Sequence, residues 1–95
     1  MGNGGLLFDW DPAKAASNLR KHGVAFEEAE TVFDDPLAIV IPDPVHSYGE
    51  ERQVLIGRSA PGNTLVVVHV EPGERIRIIS ARAATKQERR DYEHR

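Results

Sequence analysis

Two arginines and a few histidines and carboxylates hold most of the chemistry this 95-residue sequence offers. Arg58 closes one strand-like stretch and Arg82 closes another. Each guanidinium is a planar fork of donors, and two forks brought together suit a phosphate. The plainer alternative pairs each arginine with a carboxylate at a strand end. Glu51 opens a strand and is a candidate general base. Glu50-Glu51-Arg52 also reads as a self-paired, solvated charge cluster. His46 sits in a loop after Pro42 and Pro44, and loops carry function more often than strands do. His22, His46, His69 and His94 form no His-x-His or His-x-x-x-His pair, so no metal site is expected. His69 lies among valines and reads as a core histidine. Lys14 on one helix and Arg89 and Tyr92 on another are candidates for substrate contact. Arg89 and Tyr92 share a helix face at i, i+3. The Tyr92 ring either stacks on a base or anchors its helix to the sheet.

These residues need elements to position them. Leu6 to Trp10 reads as a short strand. Asp11 caps and Pro12 opens a helix that runs to His22, and Gly23 stops it. Phe26, Ala29, Val32 and Phe33 give one apolar face to a second helix, Phe26 to Phe33. Apolar Leu37 to Ile41 is a strand broken by Pro42-Asp43-Pro44. Further strands span Glu51 to Ser59, Thr64 to Val70 and Arg75 to about Arg82, joined by turns at Pro61-Gly62 and Pro72-Gly73. Thr85-Lys86-Gln87-Glu88 matches a capping box and starts a last helix to about His94. Strands joined by tight turns are antiparallel, so the last four form a meander with helices packed against it, an α+β fold.

Two-residue turns would place Arg52, Val54, Ile56, Arg58, Leu65, Val67, His69, Ile76, Ile78, Ser80 and Arg82 on one sheet face. Arg58 and Arg82 then lie near the same end of it. A slip of one residue moves a whole strand to the other face.

The length allows one domain, here residues 6–95 after a Gly-rich segment 1–5 expected to be disordered. The sequence has no Cys, which excludes disulfides, thiolate nucleophiles and Cys-based zinc sites. No apolar run is long enough to span a bilayer and no secretory signal is visible, so a cytoplasmic protein without membrane contact is expected. Gly-rich phosphate loops, nucleophile elbows and dinucleotide fingerprints are missing too, and no cofactor is expected. The net charge of −3 hides an asymmetry. Residues 75–95 carry seven basic and three acidic side chains, whereas residues 1–74 carry five and twelve. A basic end on an acidic body suits a local anion site or a solvated helix.

Phe8-Asp9-Trp10-Asp11-Pro12-Ala13-Lys14, followed by Asn18 to Phe26 with its Lys21-His22-Gly23 core, resembles the opening of the BrnT toxins. The likeness continues through Val32 to Pro36, Gly57-Arg58-Ser59, Arg77-Ile78-Ile79-Ser80-Ala81-Arg82 and Glu88-Arg89-Arg90. It implies a toxin of a type II toxin–antitoxin system with a RelE-like fold, a small antiparallel sheet with two N-terminal helices and one C-terminal helix. It implies an endoribonuclease that inhibits translation. Its partner would be a BrnA-like ribbon-helix-helix antitoxin, through which it meets operator DNA only indirectly.

Such an enzyme borrows the 2′-hydroxyl of RNA as nucleophile and needs no metal. On that reading Arg58 and Arg82 hold the phosphate, and Glu51, or else His46, takes the proton. Lys14, Arg52, Arg89 and Tyr92 position the substrate. The alternative is a non-catalytic module that binds a DNA-binding partner and tunes its repression. The acidic body suits either reading, since a basic antitoxin segment would bind it, and the net charge of −3 favours the second, because RNA binding leans on basic surface.

Overall fold

A computed structural model describes residues 6–42, 52–71 and 73–94. The expectations for segment 1–5, His46 and Glu51 fall outside the described residues. The elements are β1 (Leu7–Asp9), α1 (Pro12–His22), α2 (Phe26–Thr31), a 3-10 turn (Val32–Asp34), β2 (Ile39–Pro42), β3 (Gln53–Arg58), β4 (Thr64–Val70), β5 (Arg75–Ala83) and α3 (Lys86–Glu93).

Local chemistry sets the helix ends. The Asp11 carboxylate accepts the Ala13 N–H at 2.9 Å, satisfying a free donor of the first turn. Gly23 adopts φ 69° and its N–H donates to the Leu19 carbonyl, closing α1. Thr85 and Glu88 form the expected capping box at α3. The helix expected to reach Phe33 ends instead at Thr31 and tightens into the 3-10 turn. There the Thr31 hydroxyl donates to the Glu28 carbonyl and accepts the Ala60 N–H, tying this end to the β3–β4 turn.

The sheet order is β1-β5-β4-β3-β2. Strands β2 to β5 are the expected antiparallel meander, but β1 joins β5 in parallel, so the sheet is mixed. No hairpin ties β1 to its neighbour; two helices and three strands intervene, which leaves parallel pairing open. The Asp9 carboxylate braces this edge through Arg77 at 3.3 Å and Arg75 at 3.6 Å.

The expected register is corrected at both turns. Arg58 pairs with Thr64 rather than Leu65. The Ser59 N–H donates to the Asn63 carbonyl, which leaves a three-residue loop with Gly62 at φ 99°. Between β4 and β5 a bulge intervenes: Val68 opposes Ser80, His69 opposes Ile78, and Ile79 is the extra residue. Leu65, Val67, His69, Ile76 and Ile78 therefore face away from Arg58. The two odd shifts cancel above the bulge. Arg52, Val54, Ile56, Arg58, Ser80 and Arg82 keep one face, now shared with Thr64, Val66 and Val68.

One face is sealed by α1 and α2. Phe26, Val32, Leu55, Leu65, Val67 and Ile78 form its core. Full burial of Phe26, Leu65 and Ile78 contributes about 2 kcal/mol each. Gly57 lets the 3-10 turn and the chain after it lie directly on β3, since a Cβ there would stand 3.0 Å from a Val32 methyl and 2.8 Å from the Ala38 Cβ. The buried amide of Asn18 clamps α1 to β5, exchanging two hydrogen bonds with the Ala81 backbone at 2.8 and 3.1 Å. On the opposite face α3 covers one end, packing Tyr92 and Ala84 on Ile56 and Val66. Beyond α3 none of the described elements covers that face.

Candidate functional site

Arg82 leaves the open face near the end of β5. Its Nη1 and Nη2 donate to both carboxylate oxygens of Glu88 at 2.7 and 2.8 Å. The same Glu88 carboxylate accepts the Thr85 N–H of the cap. The Arg82 guanidinium above all, with help from the Thr85 N–H, holds the Glu88 carboxyl down at about 2, against partial burial. Arg82 in turn is raised, chiefly by that hydrogen bond. The end of the fork is thus engaged, and the Nε edge is left for another acceptor.

Arg58 flanks β4 on the other side. Its backbone N–H donates to Asp35 at 2.8 Å. Its guanidinium lies 5.9 Å from the centre of the Tyr92 ring, with Nη2 4.0 Å from a Glu93 oxygen. The two arginines share a face and an end of the sheet, as expected, but each has a carboxylate neighbour. Tyr92 is buried and its hydroxyl donates to Asp35 at 2.6 Å. It packs on Ile56 and Val66 and so anchors α3, the second of the two roles its spacing offered. Arg89 is exposed on α3 and lines none of the cavities described below. His69 is a core residue, its ring 4.9 Å edge-on to Phe33, with burial pushing its pKa down against the opposing effect of Glu71.

The bulge residue Ile79 walls three cavities. A bulge re-aims side chains and is frequent beside active sites. The largest, about 580 Å³, has an apolar floor of Val54, Ile56, Val66 and Val68, with Arg52, Ser80 and Arg82 above it. Glu88 and Asp91 of α3 form its rim. A second, about 390 Å³, gathers Trp10, Lys14, Arg52 and Arg77 beside Asp9 and Asp11. Arg52 belongs to both, and its Nε is buried without a hydrogen-bond partner among the described residues. Such an orphaned donor costs about 1–3 kcal/mol, which an anion would relieve. The third, about 170 Å³, lies between α1 and β5.

Arg52 therefore shares one cavity with Lys14 and another with Arg82, whereas Arg58 and Tyr92 sit over the α3 end. Sequence reasoning missed Ile79, whose role depends on a bulge within the β4–β5 pairing. Of the α1 wall it named Lys14 but not Ser17 or Lys21, although Lys21-His22-Gly23 stood out as a segment. Among the described residues no three His, Cys, Asp or Glu side chains converge on one point, and no helix is long and apolar enough to cross a membrane.

The model of a family described as the ribonuclease toxin BrnT of type II toxin–antitoxin systems matches residues 10–88. Among solved structures, the chain is similar to the Brucella abortus ribonuclease toxin BrnT, determined at 1.1 Å. Identity is 26%, with 85% of this chain and 99% of that chain covered and a TM-score of 0.68. No curated protein matches the chain.

Proposed function

Because the chain belongs to the BrnT family, the ribonuclease toxins of type II toxin–antitoxin systems, we propose that its open sheet face binds and cleaves RNA. The observation that supports this most is the trio Lys14, Arg52 and Arg82 around cavities that share the Ile79 bulge. The substrate 2′-hydroxyl attacks the adjoining phosphorus and gives its proton to a base. The P–O5′ bond breaks and the leaving oxygen takes a proton, giving a cyclic phosphate and a 5′-hydroxyl end. Arg82, through its Nε edge, and Arg52 stabilise the charge that builds on the phosphoryl oxygens. Arg58 follows the strand on the α3 side. Glu51, or else His46, is the proposed base.

Kinship with RelE-type ribonucleases, inhibition of translation, metal independence and a BrnA-like ribbon-helix-helix antitoxin belong to the same proposal. The antitoxin would cover the open face and link the toxin to operator DNA. One observation favours the non-catalytic alternative: Arg58 and Arg82 already face Glu93 and Glu88. Induced expression without the antitoxin separates the two. The proposal expects growth arrest with RNA breakdown, lost in Arg82→Ala. Normal growth with intact RNA from a well-folded wild type would favour the binding module.

A further inference from the structure

The third cavity has a composition the other two lack. Lys14, Lys21 and His22 line it with the hydroxyl residues Ser17 and Ser80, and among the described residues no carboxylate does. The chain as a whole carries more acidic than basic side chains, and each of the other cavities includes carboxylates. Among the described residues no aromatic carbocycle lines it, so those residues give a base little to stack on. Its volume of about 170 Å³ is several waters' worth at ~30 Å³ each. That is room for a phosphate group.

Helix electrostatics do not account for the cluster. Lys21 and His22 sit in the last turn of α1, where the dipole favours cations. Lys14 sits in the first turn, where the dipole opposes a cation, and the Asp11 carboxylate at the cap is engaged with the Ala13 N–H. Asn18 holds this wall in place: its amide is spent on the Ala81 backbone and the Val24 carbonyl. The Lys21-His22-Gly23 and Ile79-Ser80-Ala81-Arg82 segments, far apart in the chain, thereby meet across one cleft.

We infer that the cleft between α1 and the β5 bulge is a second phosphate subsite, holding the RNA backbone beside the linkage at Arg82. This rests on the proposed RNA-cleaving function. Ile79 and Ser80 also wall the Arg82 cavity, so a strand passes from one cavity to the other without leaving the surface. Lys21 and Lys14 neutralise the phosphate, and the serine hydroxyls donate to it.

The test is fluorescence anisotropy with a fluorescein-labelled 2′-O-methyl oligouridylate, which has no 2′-hydroxyl to attack. Lys21→Gln and Lys14→Gln are each measured over a salt series. Arg20→Gln is the control, removing one charge from an exposed position of the same helix outside the cleft. Each cleft variant is expected to bind roughly tenfold more weakly. Each should also flatten the slope of log affinity against log salt by about 0.7, the share of one single-strand phosphate. Arg20→Gln should match wild type, and all melting temperatures should agree. If wild type cleaves RNA but both lysine variants bind like Arg20→Gln, the subsite is wrong and the ribonuclease reading stands. If wild type neither binds nor cleaves RNA, both fall together.

Discussion

Glu88→Gln isolates the ion pair that holds Arg82. Gln preserves the carbonyl-type oxygen that accepts the Thr85 N–H, so the cap survives while the charge is lost. Glu88 is held at about 2 against an ordinary 4.5. At about 1.4 kcal/mol per unit this difference is nominally about 3 kcal/mol. The Arg82 side chain is 41% exposed, so solvent screening cuts the contribution to about 1–2 kcal/mol. The carboxyl is depressed in the folded state, so its contribution is full above the unfolded value of 4.5. It fades as pH falls from there through 2. Urea unfolding at neutral pH should therefore show Glu88→Gln less stable by about 1–2 kcal/mol, roughly 5–10 °C in Tm. The gap between variant and wild type should close as the pH is lowered through this window. With its fork released, Arg82 should bind the 2′-O-methyl RNA more tightly. An unchanged stability at neutral pH, or a gap that persists at pH 2, would refute the ion-pair argument.

Two further substitutions test the scaffold under the site. Gly57→Val should destabilise by roughly 2–4 kcal/mol, read by thermal melting, because its Cβ collides with Ala38 and crowds Val32. Asn18→Ala should cost about 2–3 kcal/mol by urea unfolding, since it strips the Ala81 N–H and carbonyl of their buried partner. If either variant melts like wild type, the packing described for that position is wrong.

What was legible in the sequence was mostly local. Asp11, Gly23 and the Thr85–Glu88 box mark helix ends by chemistry confined to a few residues, and the structure places them there. β4 was legible to the residue, because polar turns bracket its apolar run. Register was not, because it depends on how many residues each turn consumes. Gly62 at positive φ turned a presumed two-residue loop into three, and the Ile79 bulge appears only once β4 and β5 pair. The shared face of Arg58 and Arg82 came out right because two odd shifts cancel. The Arg82–Glu88 pair was within reach: with the cap Thr85 only two residues after the end of β5, the N3 carboxylate is close to that strand end. Tyr92 was ambiguous, and only the packing of α3 over Ile56 and Val66 decides for the anchor. The parallel pairing of β1 rests on contacts that span nearly the whole chain, such as Asp9 with Arg77.

The most direct test of the central claim is RNA cleavage by purified protein in excess EDTA, wild type against Arg82→Ala, with a melting curve on each sample. The account predicts cleavage by wild type that chelation does not abolish, giving cyclic phosphate ends. It predicts a rate lower by about 10²–10³ in an Arg82→Ala protein that still folds cooperatively. Undiminished cleavage by folded Arg82→Ala, or wild-type cleavage that stops on chelation and returns with Mg²⁺, would contradict it.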